Sequence, residues 1–394
     1  MALFTLLAAG CEGGSVSDAS LKKPSLKMYI YLPEDPVVTR DDPEIDSDRA
    51  DENRIRTLQV WVFGLDENKV PVSIAEDGAT TNGSLYAELE DVALTGGMRE
   101  IAFDVSDGFK ESYPYLNVYA IANAASIGHA SLDASTTEEE LKELKIEGDF
   151  FGIDNTTHQP TVTAVGDAGL PMSAYLTEAQ VWKVNELFTI TSMTMKRAVS
   201  KIRFVLVKST DMPSATVTAI RLDGHITTNN EGMRVVNIAD GALTIPDAEY
   251  LFCGLHDSSG SGDFSSTFAR EVVFDVPLEV PSHDNPWILR WDVEESSQEW
   301  EDKINDAISS GQVVECGRAY LRESPQCLTG TISYRYGEED GAAETSGTAR
   351  FSMVEPGGFL RNHSWTIFAF FSEGGVVFEV DDWERQNVTF KPFI

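Results

Sequence analysis

The sequence predicts a mostly β protein of two tandem sandwich domains with a few short helices. Apolar residues recur with period two in many short runs, as at Leu26, Met28, Ile30 and Leu32. Turn-rich stretches of Gly, Pro, Asn and Asp separate these runs, and few segments carry a helical pattern. Finally, 394 residues are too many for one ordinary core.

The order of elements begins with an apolar stretch, Ala2 to Ala9, which runs into Leu7-Ala8-Ala9-Gly10-Cys11. It is far shorter than the ~20 apolar residues of a membrane span, so it reads as a secretory signal. Small residues before a cysteine suit a signal peptidase that needs narrow side chains at the scissile bond. The Cys11 thiol then carries lipid and becomes the new N-terminus. This pattern resembles a bacterial lipoprotein lipobox, although no Lys or Arg precedes the apolar run. Glu12 to Ser20 is a polar, Gly/Ser-rich tether.

Leu26 to Leu32 follows as the first strand and is stopped by Pro33. Residues 34–53 are rich in acid and proline, which predicts an exposed loop carrying Arg40 and Arg49. Thr57 to Phe63 reads as a central strand, as does Tyr115 to Ile121. Ser135-Thr136-Thr137 ahead of Glu138, Glu139 and Glu140 is a helix start, with acids against the dipole and Leu141 and Leu144 on the apolar side.

In the second half, Lys201–Val207, Thr216–Leu222 and Glu271–Phe274 read as strands. Residues 297–309 form a second helix candidate, with Trp300, Ile304 and Ile308 four apart. Trp365–Phe371, Val376–Val380 and Val388–Phe390 close the chain as strands. No fixed-period repeat is present. The expected division is a signal and tether over 1–24, one sandwich over 25–194 and another over 195–394.

Charge and chemistry narrow the function classes. With 30 basic and 64 acidic residues the net charge is −34, which repels nucleic-acid phosphates and anionic lipid heads. The histidines are scattered, with no metal-ligand spacing, and no GxSxG, P-loop or dinucleotide fingerprint occurs. The sequence therefore nominates no catalytic residue, no metal site and no cofactor, and the expectation is a protein that is not an enzyme. Of the cysteines besides Cys11, a hairpin can pair Cys316 with Cys327, or both can be core thiols. Exposed Trp side chains would instead suit a glycan-binding surface lipoprotein, with Trp182, Trp287, Trp291 and Trp300 as the residues to inspect.

An ordered set of segments resembles the fimbrillin superfamily of Bacteroidales-type fimbrial subunits. They are the lipobox at Cys11, Asn53–Arg56 leading into Val60–Phe63, and Leu116–Asn123, then Leu170–Ser173, Lys196–Ile202, and Arg361–Trp365 ahead of Trp383. The resemblance implies transthyretin-like sandwiches and export as a lipoprotein to the outer membrane and fimbrium. It also implies polymerisation by strand exchange with other fimbrial subunits.

In that scheme an arginine-specific protease cuts after Arg40 or Arg49 and removes the strand of Leu26, Met28, Ile30 and Leu32. An extended segment of a neighbour then fills the groove. Val388 and Phe390 lie either on such a donor strand or on the last strand of their own sheet, with Pro392 favouring an edge. The family also contains anchor subunits that keep strand and lipid. Possible host or bacterial surface ligands belong to the same expectation.

Overall fold

The computed structural model describes residues 24–31, 54–92, 98–127, 131–145, 150–152, 169–184, 187–223, 251–252, 255, 269–284, 297–322, 328–337, 345–353, 361, 364–372, 375–382 and 387–389. The first half contributes β1 (Ser25–Tyr31), β2 (Ile55–Leu65), β3 (Pro71–Val72), β4 (Ser84–Val92) and β5 (Met98–Asp104). Helix α1 (Phe109–Ser112), β6 (Tyr115–Ala122), α2 (Glu138–Lys142) and β7 (Phe150–Gly152) come next. β8 (Met172–Gln180), β9 (Trp182–Val184), β10 (Leu187–Thr189), β11 (Met193–Thr194) and β12 (Lys196–Arg197) complete it.

The second half holds β13 (Val199–Ser209), β14 (Ser214–Asp223), β15 (Ala269–Glu279), β16 (Ser282–His283) and α3 (Ser297–Ser309). β17 (Val314–Arg322), β18 (Leu328–Gly337), β19 (Thr345–Met353), β20 (Ser364–Ser372), β21 (Gly375–Asp382) and β22 (Asn387–Thr389) follow.

These strands form four sheets that pack as two pairs. In the first pair, one sheet has the order β11-β1-β10-β9, with β5 on the other side of β1. It faces a sheet of order β12-β8-β6-β2-β3 with β4 also on β2. Their shared core joins Leu26, Met28, Ile30, Ile101 and Phe188 to Leu58, Val60, Val62, Leu116 and Val118. In the second pair, the order β22-β21-β20-β13-β17-β7 faces β15-β14-β18-β19 across Phe204, Leu206, Ile220, Ile332, Ile367 and Phe371. The predicted mostly β sandwich architecture is therefore present. β7, which precedes the expected boundary in sequence, adds to the outer end of a second-half sheet by pairing with Arg318–Tyr320.

Both predicted helices form, each on the outer face of a sheet. Thr137 caps α2 in a reciprocal box with Glu140, so two orphan backbone donors of the first turn are satisfied. Leu141 buries its side chain beside Trp61 and Tyr119 on the back of β2 and β6. Glu138 is buried as well, and its Oε1 accepts from Asn117 Nδ2 at 2.8 Å, Tyr119 OH at 2.9 Å and Lys142 Nζ at 2.8 Å. That set of donors meets the requirement that a buried charge be paired. Burial raises the Tyr119 phenol above its usual range and keeps it a donor. α3 lays Ile304 and Ala307 against Val205, Val207, Phe368 and Phe370.

Arg54–Arg56, Asn123 and Leu170 meet within the first half, and Leu251–Phe252 reaches them from the second. Asn123 takes a positive φ of 59°, which Asn tolerates better than most residues. Its Oδ1 accepts from the Arg56 amide at 2.8 Å, while its Nδ2 donates to the carbonyls of Arg54 (2.9 Å) and Leu170 (2.7 Å). Gly169 passes so close that a Cβ there would lie 2.5 Å from Asn123 Nδ2. The Ala198 amide then donates to the Pro171 carbonyl. From the second half, the Leu251 carbonyl accepts from both Ser173 Oγ and Arg361 Nη1 at 2.8 Å. Phe252 sets its ring edge against Tyr119 (5.2 Å between centroids) and Tyr175 (6.1 Å).

Candidate functional site

The site is β1 and the groove that holds it. Its period-two pattern appears directly as burial: Leu26 and Met28 are 0% exposed and Ile30 is 1%, while Tyr31 on the opposite face is 37% exposed. β1 is an interior strand. It pairs antiparallel with β5 from Ser25–Asp104 to Tyr31–Met98. On its other side it runs parallel to β10 over Ser25–Lys27 and to β11 over Ile30–Tyr31. Pairing extends to both ends, since the Val105 amide donates to the Pro24 carbonyl at 3.0 Å and the Met195 amide to the Tyr31 carbonyl at 2.7 Å.

The groove walls come from elements far apart in sequence. Ile101 lies on β5, while Phe188, Ile190, Met193 and Met195 lie on or beside β10 and β11. Phe188 in turn rests against Phe109 of α1 at 5.8 Å between ring centroids. Three fully buried side chains at about 1.5–3 kcal/mol each are comparable to the marginal stability of a whole domain, about 5–15 kcal/mol. A vacated groove would therefore have a strong drive to refill. β5 has no other paired neighbour among the described strands, so removal of β1 would also orphan its ladder.

A polar clip closes the solvent face of the same strand pair. Glu100 accepts from Lys27 Nζ at 2.7 Å and from Tyr29 OH at 3.1 Å. The Lys27 hydrogen bond holds the Glu100 carboxyl below its ordinary value of 4.5, and Glu100 raises Lys27 above 10.5. The lowered carboxyl favours folding above its unfolded value and loses that contribution as pH falls through the folded one. The raised ammonium contributes below 10.5 and is lost as pH rises through its folded value. The clip therefore ties β1 to β5 at neutral pH and releases in acid. Amide exchange in β1, corrected for intrinsic rates, should accelerate between about pH 6 and about pH 3 in the native protein. Glu100→Gln should flatten that dependence; an unchanged acid response would remove Glu100 from the account.

Several sequence-nominated residues fall outside the described residues: Cys11, Leu32, Arg40, Arg49, Cys327 and Phe390, with Trp287 and Trp291. Cys316 is a free, fully buried thiol whose burial pushes its pKa well above the usual range. Val388 lies on β22, which pairs over three residues with β21 at the edge of its own sheet. Trp182 is on β9 and half exposed. Among the described residues no group of three or more His, Cys, Asp and Glu side chains is placed to hold a metal, and no helix is long and apolar enough to cross a membrane. Sequence reasoning missed β5 and β8 to β12, and with them every paired neighbour of β1, as well as β3, β4, β7 and β16 to β19. Strands of two or three residues are too short to show a period.

No protein-family model matches the chain, and no curated protein matches it. Solved structures do resemble it over nearly their whole length. A candidate cell adhesion protein from Parabacteroides distasonis is 11% identical with a TM-score of 0.45, covering 92% of this chain and 97% of the other. A fimbrial assembly protein from the same organism is 10% identical with a TM-score of 0.40, over 94% and 100%. The tip fimbrial protein Mfa3 of Porphyromonas gingivalis, C-terminally truncated, is 11% identical with a TM-score of 0.35, over 92% and 100%.

Proposed function

We propose that this chain is a structural subunit of a bacterial cell-surface fimbria, exported as a lipoprotein and assembled by protease-triggered strand exchange, and so contributing to adhesion. The observation that carries the reading is β1. It is the first of the described strands, it is paired on both sides, and it supplies three fully buried side chains to its core.

A strand in that position can be replaced by another of the same alternation, because ladder bonds give affinity and alternate side-chain pockets give register. Cleavage after Arg40 or Arg49 separates β1 and the lipid at Cys11 from the rest of the chain. An extended segment of a neighbouring subunit then takes the vacant place between β5 and β10.

The test is N-terminal sequencing and intact mass of protein from the cell surface, with and without an arginine-specific protease. The expected result is a start at Asp41 or Ala50 after protease, together with higher-order assembly. A lipidated Cys11 start under both conditions would overturn the exchange mechanism and leave a permanent anchor.

A further inference from the structure

Glu138, the first residue of α2, is a carboxylate that is only 6% exposed. Its Oε1 accepts at 2.8 Å from both the Asn117 side-chain amide and the Lys142 ammonium. Two nitrogens held on one oxygen at that distance are no more than about twice it apart. Asn117 is buried as well, and the Lys142 side chain is partly covered. The lysine amine and the asparagine acyl carbon are therefore neighbours across a single carboxylate oxygen.

The carbonyl end of the same amide is also held. Asn117 Oδ1 accepts from the backbone N–H of Glu178 at 2.8 Å. A bulge aims that donor: the β6–β8 register shifts between Leu116 and Val118, and Glu178 takes a φ of 53°. Such a backbone is strained for a residue with a Cβ, and strain of this kind collects at functional sites. Glu178 is tied down by an ion pair with Lys69, whose own φ is 63°. Tyr119 OH completes the donors on Glu138 at 2.9 Å, and Phe63, opposite Asn117 on β2, sets its ring against Tyr119.

We propose that Lys142 and Asn117 are the two halves of an intramolecular isopeptide bond, formed with Glu138 as proton carrier and the Glu178 amide as oxyanion donor. Glu138 takes a proton from the Lys142 ammonium, and the freed Nζ lone pair attacks Asn117 Cγ. The carbonyl electron pair moves to Oδ1, where the Glu178 N–H stabilises it. Glu138 returns its proton to Nδ2, the carbonyl reforms, the Cγ–Nδ2 bond breaks and ammonia leaves. Ammonia removes the second proton from Nζ and departs as ammonium, so charge balances and Glu138 is regenerated. The step needs no oxidant and no second protein, because the reacting groups already meet on one oxygen. Its product ties α2 covalently to β6, whatever the fate of β1.

The test is the denatured mass and peptide map of the full folded chain, followed with time in mildly alkaline buffer. The mass should fall short of the sequence by one ammonia. A glutamate-specific protease should release one branched peptide that joins the Asn117 fragment to the Lys142 fragment, and trypsin should fail to cut after Lys142. Lys142→Arg keeps a cation beside Glu138 but removes the amine, so it should show neither the loss nor the branch. Glu138→Gln, with native circular dichroism, should form the branch about a hundredfold more slowly or worse. Separate, unmodified Asn117 and Lys142 fragments from the natively folded chain would overturn the proposal. Ammonia loss without the branched peptide would equally overturn it, since that loss belongs to another amide such as Asn82 beside Gly83. A branch that forms as fast in Glu138→Gln would overturn the mechanism.

Discussion

Replacing Met28 by aspartate is expected to expel β1 from its groove without any protease. The side chain is fully buried among apolar neighbours of two sheets. The substitution removes the burial of Met28, about 1.5–3 kcal/mol, and adds the desolvation of a charge or its protonation. Together these amount to about 4 kcal/mol or more, concentrated on a seven-residue strand.

The second pair of sheets has its own core around Phe204, Ile332 and Phe371, so it should remain folded in Met28→Asp at temperatures where the first pair has lost its packing. The first pair should bind a hydrophobic dye and recruit a synthetic Ser25–Leu32 peptide of native sequence. Native melting of the first pair in Met28→Asp, with no peptide uptake, would show that β1 is dispensable to its core. That outcome would remove the basis for strand exchange.

Phe252→Ala should instead loosen the junction. The ring is fully buried and meets both Tyr119 and Tyr175 edge-on, while its neighbour Leu251 is held through its carbonyl by Ser173 and Arg361. Phe-to-Ala changes at such sites cost about 3–5 kcal/mol. Here the loss falls on the contact between sheet pairs and leaves both inner cores intact. One cooperative melting transition should therefore split into two, and a protease should gain access near the junction. A single transition lowered as a whole would mean that the two pairs unfold together for another reason, such as the β7–β17 ladder.

The strands with strong apolar periods, such as β1, β2, β6, β13 and β20, were legible in the sequence, whereas the equally long but more polar β4, β5, β8 and β17 to β19 were not. The alternation of Leu26, Met28 and Ile30 is realised residue for residue, and α3 spans the Ser297–Ser309 range expected from four-residue spacing. The cap of α2 was readable for the same reason: Thr137 and Glu140 stand at the separation a capping box requires.

Long-range pairing was not legible. Period two says which face of β1 is inside, but it does not say that Ser25 lies opposite both Asp104 and Leu187. β7 is a sharper case, since three residues of the first half find their ladder on Arg318–Tyr320, and nothing local specifies it. Nor does anything local say that Asn123 stitches Arg54, Arg56 and Leu170 together.

The pairing of β1 also has a kinetic side. It precedes all the other described strands in synthesis, and its partners at 98–104, 187–189 and 193–194 follow much later. Closing loops of such length is slow, and non-local β pairing folds slowly in general. Until Met193 and Thr194 arrive, the groove has no complete wall, and Leu26, Met28 and Ile30 remain bare apolar surface open to misassociation. The nascent chain would bare β1 itself, and a chain deprived of β1 would bare the groove, so both expose the same apolar contact from opposite sides. A factor that shields strand edges would protect the first and slow refilling of the second.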